Sequence, residues 1–76
     1  PSRGPVTIEV GMPEAADAEV ALYDMLGRRV ATLHNGELPR GLSEVQWAGD
    51  SLASGMYFLR LRSEGQTFTE KVVRVR

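Results

Sequence analysis

Three observations predict an all-β fold for this chain of 76 residues. Apolar and polar residues alternate at period two in several short segments, as in Val6, Ile8, Val10 and again in Tyr57, Leu59, Leu61, which is the pattern of half-buried strands. Turn residues separate those segments at close intervals. No stretch places apolar residues convincingly at i, i+3, i+4 and i+7, the spacing a core-facing helix requires. Six to seven short strands in so small a chain predict an antiparallel two-sheet sandwich of immunoglobulin or fibronectin type III style. A small barrel is the rival architecture.

The elements follow in order. The first strand covers Val6 to Val10 and is stopped by Gly11-Met12-Pro13. The second is Glu19 to Tyr23; Pro13 and Gly27 bracket it, and its β-branched pattern outweighs the alanines that give Ala15 to Leu26 a helical look. Asp24-Met25-Leu26-Gly27 carries Asp first and Gly fourth, the signature of a type I turn, and joins strand two to strand three as a hairpin. Strand three is Arg29 to Leu33, expected to end at Asn35-Gly36, with Leu38-Pro39-Arg40-Gly41 crossing between sheets. Ser43 to Trp47 forms strand four and a small-residue loop, Gly49 to Gly55, follows. Met56 to Arg62 and Thr67 to Arg76 form the last hairpin around Glu64-Gly65. Trp47 is expected in the core with Leu22, Val30, Tyr57 and Leu59, where burying its ring contributes about 3 kcal/mol or more.

That turn sets the register of the last pair, so paired residue numbers sum to about 129. Arg60 then faces Thr69, Arg62 faces Thr67, and Phe58, Met56 and Tyr57 face Lys71, Val73 and Val72. Tyr57, Leu59, Leu61, Phe68 and Val72 are expected toward the core. Strict alternation turns Met56, Phe58, Val73 and Val75 outward among Arg60, Arg62 and Lys71, an apolar cluster of the kind that marks a partner surface.

Composition narrows the functions open to this domain. Hydrophobic residues at 42% and charged residues at 25% are ordinary for a folded globular domain. A net charge of -1 with few aromatic residues gives no field or stacking platform for nucleic acid. The absence of Cys removes disulfides, thiolate metal sites and cysteine nucleophiles. His34 is the one imidazole and reads as a solvent-facing residue at a strand end. Glu9, Glu44 and Glu70 alternate with apolar neighbours and read as outward halves of strands. No phosphate-binding loop is present. These residues predict a non-catalytic module with no cofactor, no metal and no small-molecule substrate. The opening Pro1-Ser2-Arg3-Gly4-Pro5 has neither an initiator Met nor an apolar leader and reads as the end of a longer chain.

Several motifs together resemble one family. They are Val20-x-Leu22-Tyr23-Asp24-x-x-Gly27-Arg28-x-Val30-x-x-Leu33, Gly36-x-Leu38, Trp47, Leu52-Ala53-Ser54-Gly55-Met56-Tyr57-Phe58-x-Arg60-Leu61 and the closing Lys71-Val72-Val73. The chain from Val6 to Arg76 resembles the type A C-terminal sorting domain of the type IX secretion system. Similar patterning in the immunoglobulin-like domain of the flagellar hook-capping protein makes a structural or adhesive spacer the alternative, with a carbohydrate-binding accessory domain a more distant one. The basic-apolar tail Lys71-Val72-Val73-Arg74-Val75-Arg76 favours sorting.

The resemblance implies that residues 1–76 form one C-terminal sorting domain, with 1–5 as a linker remnant. It implies a cargo domain preceding it on the same chain, recognition by an outer-membrane translocon, removal by a sortase-like peptidase, and passage through periplasm and outer membrane to the surface or medium of a Bacteroidetes-type bacterium. The recognition residues it points to are Tyr23, Asp24, Gly27, Arg28, Gly55, Lys71, Val73, Arg74, Val75 and Arg76. A purely structural role competes at Tyr23-Asp24-x-x-Gly27-Arg28, where Arg28 pairs a nearby carboxylate, and at Gly55, where backbone geometry suffices.

Overall fold

A computed structural model describes residues 5–48 and 53–74 of the chain. These residues form six strands: β1 Pro5–Met12, β2 Ala16–Tyr23, β3 Arg29–Leu38, β4 Gly41–Ala48, β5 Gly55–Ser63 and β6 Gln66–Arg74. All pairs are antiparallel. β1 and β4 make a two-stranded sheet, and a four-stranded sheet runs in the order β3-β2-β5-β6. The two-sheet sandwich expected from alternation and turn spacing is therefore the observed fold. The chain changes sheet after Met12, between Leu38 and Gly41, and between Ala48 and Gly55. β1 begins at Pro5, the last of the five residues expected as linker.

The core lies between the sheets. Val10 and Met12 of β1, Ala18 and Val20 of β2, Leu38 of β3 and Val45 of β4 form one buried cluster, against which Leu59 and Leu61 of β5 pack. Val20 is fully buried at its centre. Complete burial of a side chain of this size contributes about 1.5–3 kcal/mol. Leu22 and Tyr57 are buried as expected. The backbone of Trp47 pairs with Val6, whereas the expectation for its ring lies outside the described residues.

The register of the last hairpin is the expected one: Met56 faces Val73, Phe58 faces Lys71, Arg60 faces Thr69, and Ser63 closes on Gln66. Glu64 at φ 53° and Gly65 at φ 75° form its two-residue turn, a geometry whose twist matches that of the flanking strands.

Five expectations are corrected. β3 does not stop at Asn35-Gly36; it continues to Leu38, because Gly36 pairs with Ala18 and the strand end is anchored by the buried Leu38. His34 consequently sits within the strand, half-buried, and its Nε2–H donates to the Gly36 carbonyl at 3.1 Å. Val30 is 40% exposed rather than core, since the ladder slips where Leu22 pairs with Ala31 and Tyr23 with Arg29, leaving Val30 between rungs. Phe68 shares the inner-face row Val20-Leu61-Phe68 yet is 56% exposed, because among the described residues no strand of the smaller sheet covers β6. Glu70 pairs with Leu59 and so stands on the inner row rather than the outer one.

Candidate functional site

The β2–β3 hairpin is organised by one carboxylate. Asp24 Oδ1 accepts from the backbone N–H of Leu26 at 2.9 Å and of Arg28 at 3.0 Å, while Arg28 Nε donates to Oδ2 at 2.9 Å. The Gly27 N–H donates to the Asp24 carbonyl at 3.1 Å, and the Asp24 N–H donates to the Arg28 carbonyl at 2.9 Å. Gly27, at φ 81°, occupies the left-handed position that follows a type I turn in a three-residue hairpin loop. The expected turn and the expected Arg28–carboxylate pair are both present. Arg28 and Asp24 are thus committed to building the turn, and what the turn displays is Met25, 63% exposed, and Leu26, 77% exposed.

The backbone N–H of Arg28, against some opposing desolvation, holds the Asp24 carboxyl below its ordinary pKa, with the Arg28 side chain and the Leu26 N–H acting in the same direction. A depressed folded-state pKa means that the contribution to stability is complete above the unfolded value and is lost as pH falls through the folded one. Acidification below the usual carboxylate range should therefore release the Leu26 and Arg28 amides before the core amides of β2 respond. Amide chemical shifts followed against pH test this; simultaneous movement of hairpin and core amides would refute it.

Beyond the turn, Tyr23 ends β2 on the outer face of the four-stranded sheet. The guanidinium of Arg60 lies 4.3 Å from its ring centroid and that of Arg29 lies 5.6 Å away, both within cation–π range. Arg29 Nη1 and Nη2 donate to Glu19 Oε2 at 3.1 Å and to the Tyr23 hydroxyl at 3.0 Å, and Arg60 also donates to that hydroxyl. The Tyr23 hydroxyl and Glu19 raise the Arg29 pKa, so this cation remains charged at any physiological pH. Arg60 reaches the ring because its cross-strand partner is Ala21, whose small side chain leaves room above the sheet.

Row by row, Arg29, Tyr23, Phe58 and Lys71 line up across all four strands. The outer face around Tyr23 carries Arg29, Arg60, Arg62 and Lys71 against Glu19, a local excess of positive charge on a chain whose net charge is -1. A shallow depression of about 250 Å³ opens there, with Asp24, Gly27, Phe58 and Thr69 in its lining.

The expected recognition residues meet at one end of this sheet. Tyr23 pairs with Phe58, Phe58 with Lys71, Met56 with Val73, and Gly55 with Arg74, while Asp24, Gly27 and Arg28 form the adjoining hairpin. Val73 is 60% exposed and Met56 37%; Phe58 is half-buried beside Tyr23. Val75 and Arg76 lie outside the described residues, so the expected adjacency of Phe58 and Val75 does too. Sequence reasoning missed Arg29, Arg60, Met25 and Leu26. An apolar pair at the centre of a turn, where polar residues are usual, was the legible signal for the last two.

Gly55 has a structural assignment. Its φ of 153° lies in a region that side chains rarely adopt, and a Cβ there would stand 3.9 Å from the Tyr57 ring. Tyr57, two residues on, is buried and its hydroxyl donates to the Ala53 carbonyl at 2.7 Å, so the Ala53-Ser54-Gly55-x-Tyr57 block ties the start of β5 to its own loop. Gly55→Ala should cost about 1–3 kcal/mol through backbone strain, read as a lower midpoint in urea unfolding. An unchanged midpoint would refute the structural assignment.

Among the described residues no three His, Asp or Glu side chains converge on a metal-sized space, and the arrangement offers charge, aromatic faces and exposed apolar tips. It is suited to binding. The family described as the secretion system C-terminal sorting domain matches residues 1–75. This chain belongs to that family. Gingipain R2 of Porphyromonas gingivalis, in two strains, is 40% identical over 67 residues, covering 88% of this chain but 7% of the relative's own length. No solved structure matches the chain. Sorting domains of this family are signals for type IX secretion, and the chain is accordingly a sorting signal whose bearer is exported to the cell surface or the medium. A domain of that kind is non-catalytic.

Proposed function

We propose that this sorting domain is read as a folded unit by the outer-membrane translocon, through the end of the four-stranded sheet that carries the Asp24–Arg28 hairpin and the Lys71–Arg74 end of β6. On this reading residues 1–76 act as one domain, 1–5 join it to a cargo domain on the same chain, and a sortase-like peptidase removes it after export. The bearer does no chemistry through this domain. Tyr23, Asp24, Gly27, Arg28, Gly55, Lys71, Val73 and Arg74 form the recognition end, and the sequence motif assigns Val75 and Arg76 to recognition with them.

One observation carries the reading. Residues from three separate stretches of sequence, each singled out for its motif, share one end of one sheet beside the exposed Met25, Leu26 and Val73. A surface that combines aromatic and arginine side chains with exposed apolar tips is the composition of binding hot spots. Fusing residues 1–76 to a periplasmic reporter in a bacterium with type IX secretion tests it. The fusion should deliver the reporter to the surface or medium, whereas intact fusion held in the periplasm would overturn the reading.

A further inference from the structure

On the side of the sandwich where β1 and β6 run past each other, neither strand has a second ladder partner among the described residues: β1 pairs with β4 and β6 with β5. Among the described residues the larger sheet extends beyond the smaller one here, and its inner row is left uncovered. Two adjoining depressions of about 470 and 370 Å³ lie along this side, sharing Gly11, Leu61 and Phe68 in their linings. Val20, Leu59 and Val10 add to the apolar floor of the second. Phe68 is the largest exposed feature, an aromatic ring with more than half its surface in water although it points to the core side.

The rim is charged with one sign. Glu14 and Glu64 border the first depression, Glu9 and Glu70 the second, and among the described residues no Lys, Arg or His lines either. Glu9 faces Glu44 directly across the β1–β4 ladder, a pairing of like charges that is unfavourable by itself. Glu70 stands on the inner row beside Leu59, a position where a carboxylate would be costly if the sheet were covered by apolar residues alone.

We propose that this cleft receives an extended segment of another protein that alternates apolar residues with Lys or Arg, adding as a strand to the free edge of β1 and laying its apolar side over Phe68 and Leu61. The free edge supplies unpaired N–H and C=O groups, which are what strand addition uses for affinity. Ile8–Gly11 of β1 and Phe68–Glu70 of β6 line the same depression, so a strand added about 4.8 Å from β1 would lie along it. The acidic rim selects basic residues and repels an acidic segment. This surface lies on the opposite face of the sheet from the Tyr23 cluster and has the opposite charge, so it is independent of the sorting role argued above.

The test titrates the isotope-labelled 76-residue chain with a short peptide of alternating valine and arginine, and in parallel with one of alternating valine and glutamate. The first should shift the amides of Ile8–Met12 and Phe68–Glu70 while leaving those of Asp24–Arg28 in place, and raised salt should weaken it. Methylating the backbone nitrogens along one edge of the peptide should abolish binding. Glu9→Lys with Glu70→Lys should weaken it by about tenfold or more, as loss of close charge pairs does at other interfaces; Glu14→Lys with Glu64→Lys, which lie outside strands, gives the same reading if the first pair does not fold. Equal binding of the glutamate peptide, indifference to both charge reversals, or shifts confined to the β3 edge would overturn the proposal. So would a concentration-dependent dimer that shifts the β1 amides without peptide, which would give the cleft to a second copy of the chain.

Discussion

Val20→Asp should leave the domain unfolded at 25 °C, with no cooperative thermal transition and with loss of export in the reporter fusion. Val20 has no exposed surface and packs in one cluster with Val10, Met12, Leu38 and Val45. A carboxylate there has no cation or donor within the cluster, and an uncompensated buried charge costs several kcal/mol. At ordinary per-residue stability a chain of 76 residues has about 4–11 kcal/mol in all. The substitution therefore consumes most or all of it. Far-ultraviolet circular dichroism during a thermal scan is the measurement, and a sharp transition near that of the unmodified chain would show that the core does not depend on this side chain. Loss of export in the same variant tests whether the signal is read folded; export of the unfolded variant would show that a linear segment suffices.

Deleting Arg74 to Arg76 should block export while preserving the sandwich. β6 is the edge of the larger sheet, Gly55–Arg74 is its last pair, and no β6 residue belongs to the buried cluster. The loss in unfolding midpoint should stay below about 5 °C, since a strand end contributes little burial. The basic-apolar end of the recognition surface would be gone. Export that survives the deletion would move recognition to the hairpin displaying Met25 and Leu26, and a collapse in stability would mean that the tail carries more of the core than its edge position implies.

Which features were legible in the sequence follows from the range over which their causes act. Alternation at period two located β1, β4 and β5, because the two faces of a strand are set by successive residues, while flanking turn residues and β-branched composition located the others. Asp24 and Gly27 specified their turn through bonds that reach four residues at most. Glu64-Gly65 fixed the β5–β6 register, and with it the pairing of Met56 with Val73 and Phe58 with Lys71, because a two-residue turn leaves one way to align its strands. The family was equally legible, since its motifs sit on these same local features.

The tertiary structure alone decided what lies between strands distant in sequence. Asn35-Gly36 is a turn signal in isolation, yet β3 runs through it because Ala18 and the buried Leu38 hold the ladder together on either side. Val30 lost its core place to a slip in the β2–β3 ladder, which no residue of β3 announces. Arg60 lies over Tyr23 because β2 and β5, 37 residues apart at that contact, are neighbours and the residue facing Arg60 is the small Ala21. Phe68 and Glu70 occupy the inner row of β6, and whether that row is core or open cleft depends on how many strands the opposing sheet possesses. Alternation specifies which side of a strand a residue takes; only the strand count and order of the facing sheet specify what covers it.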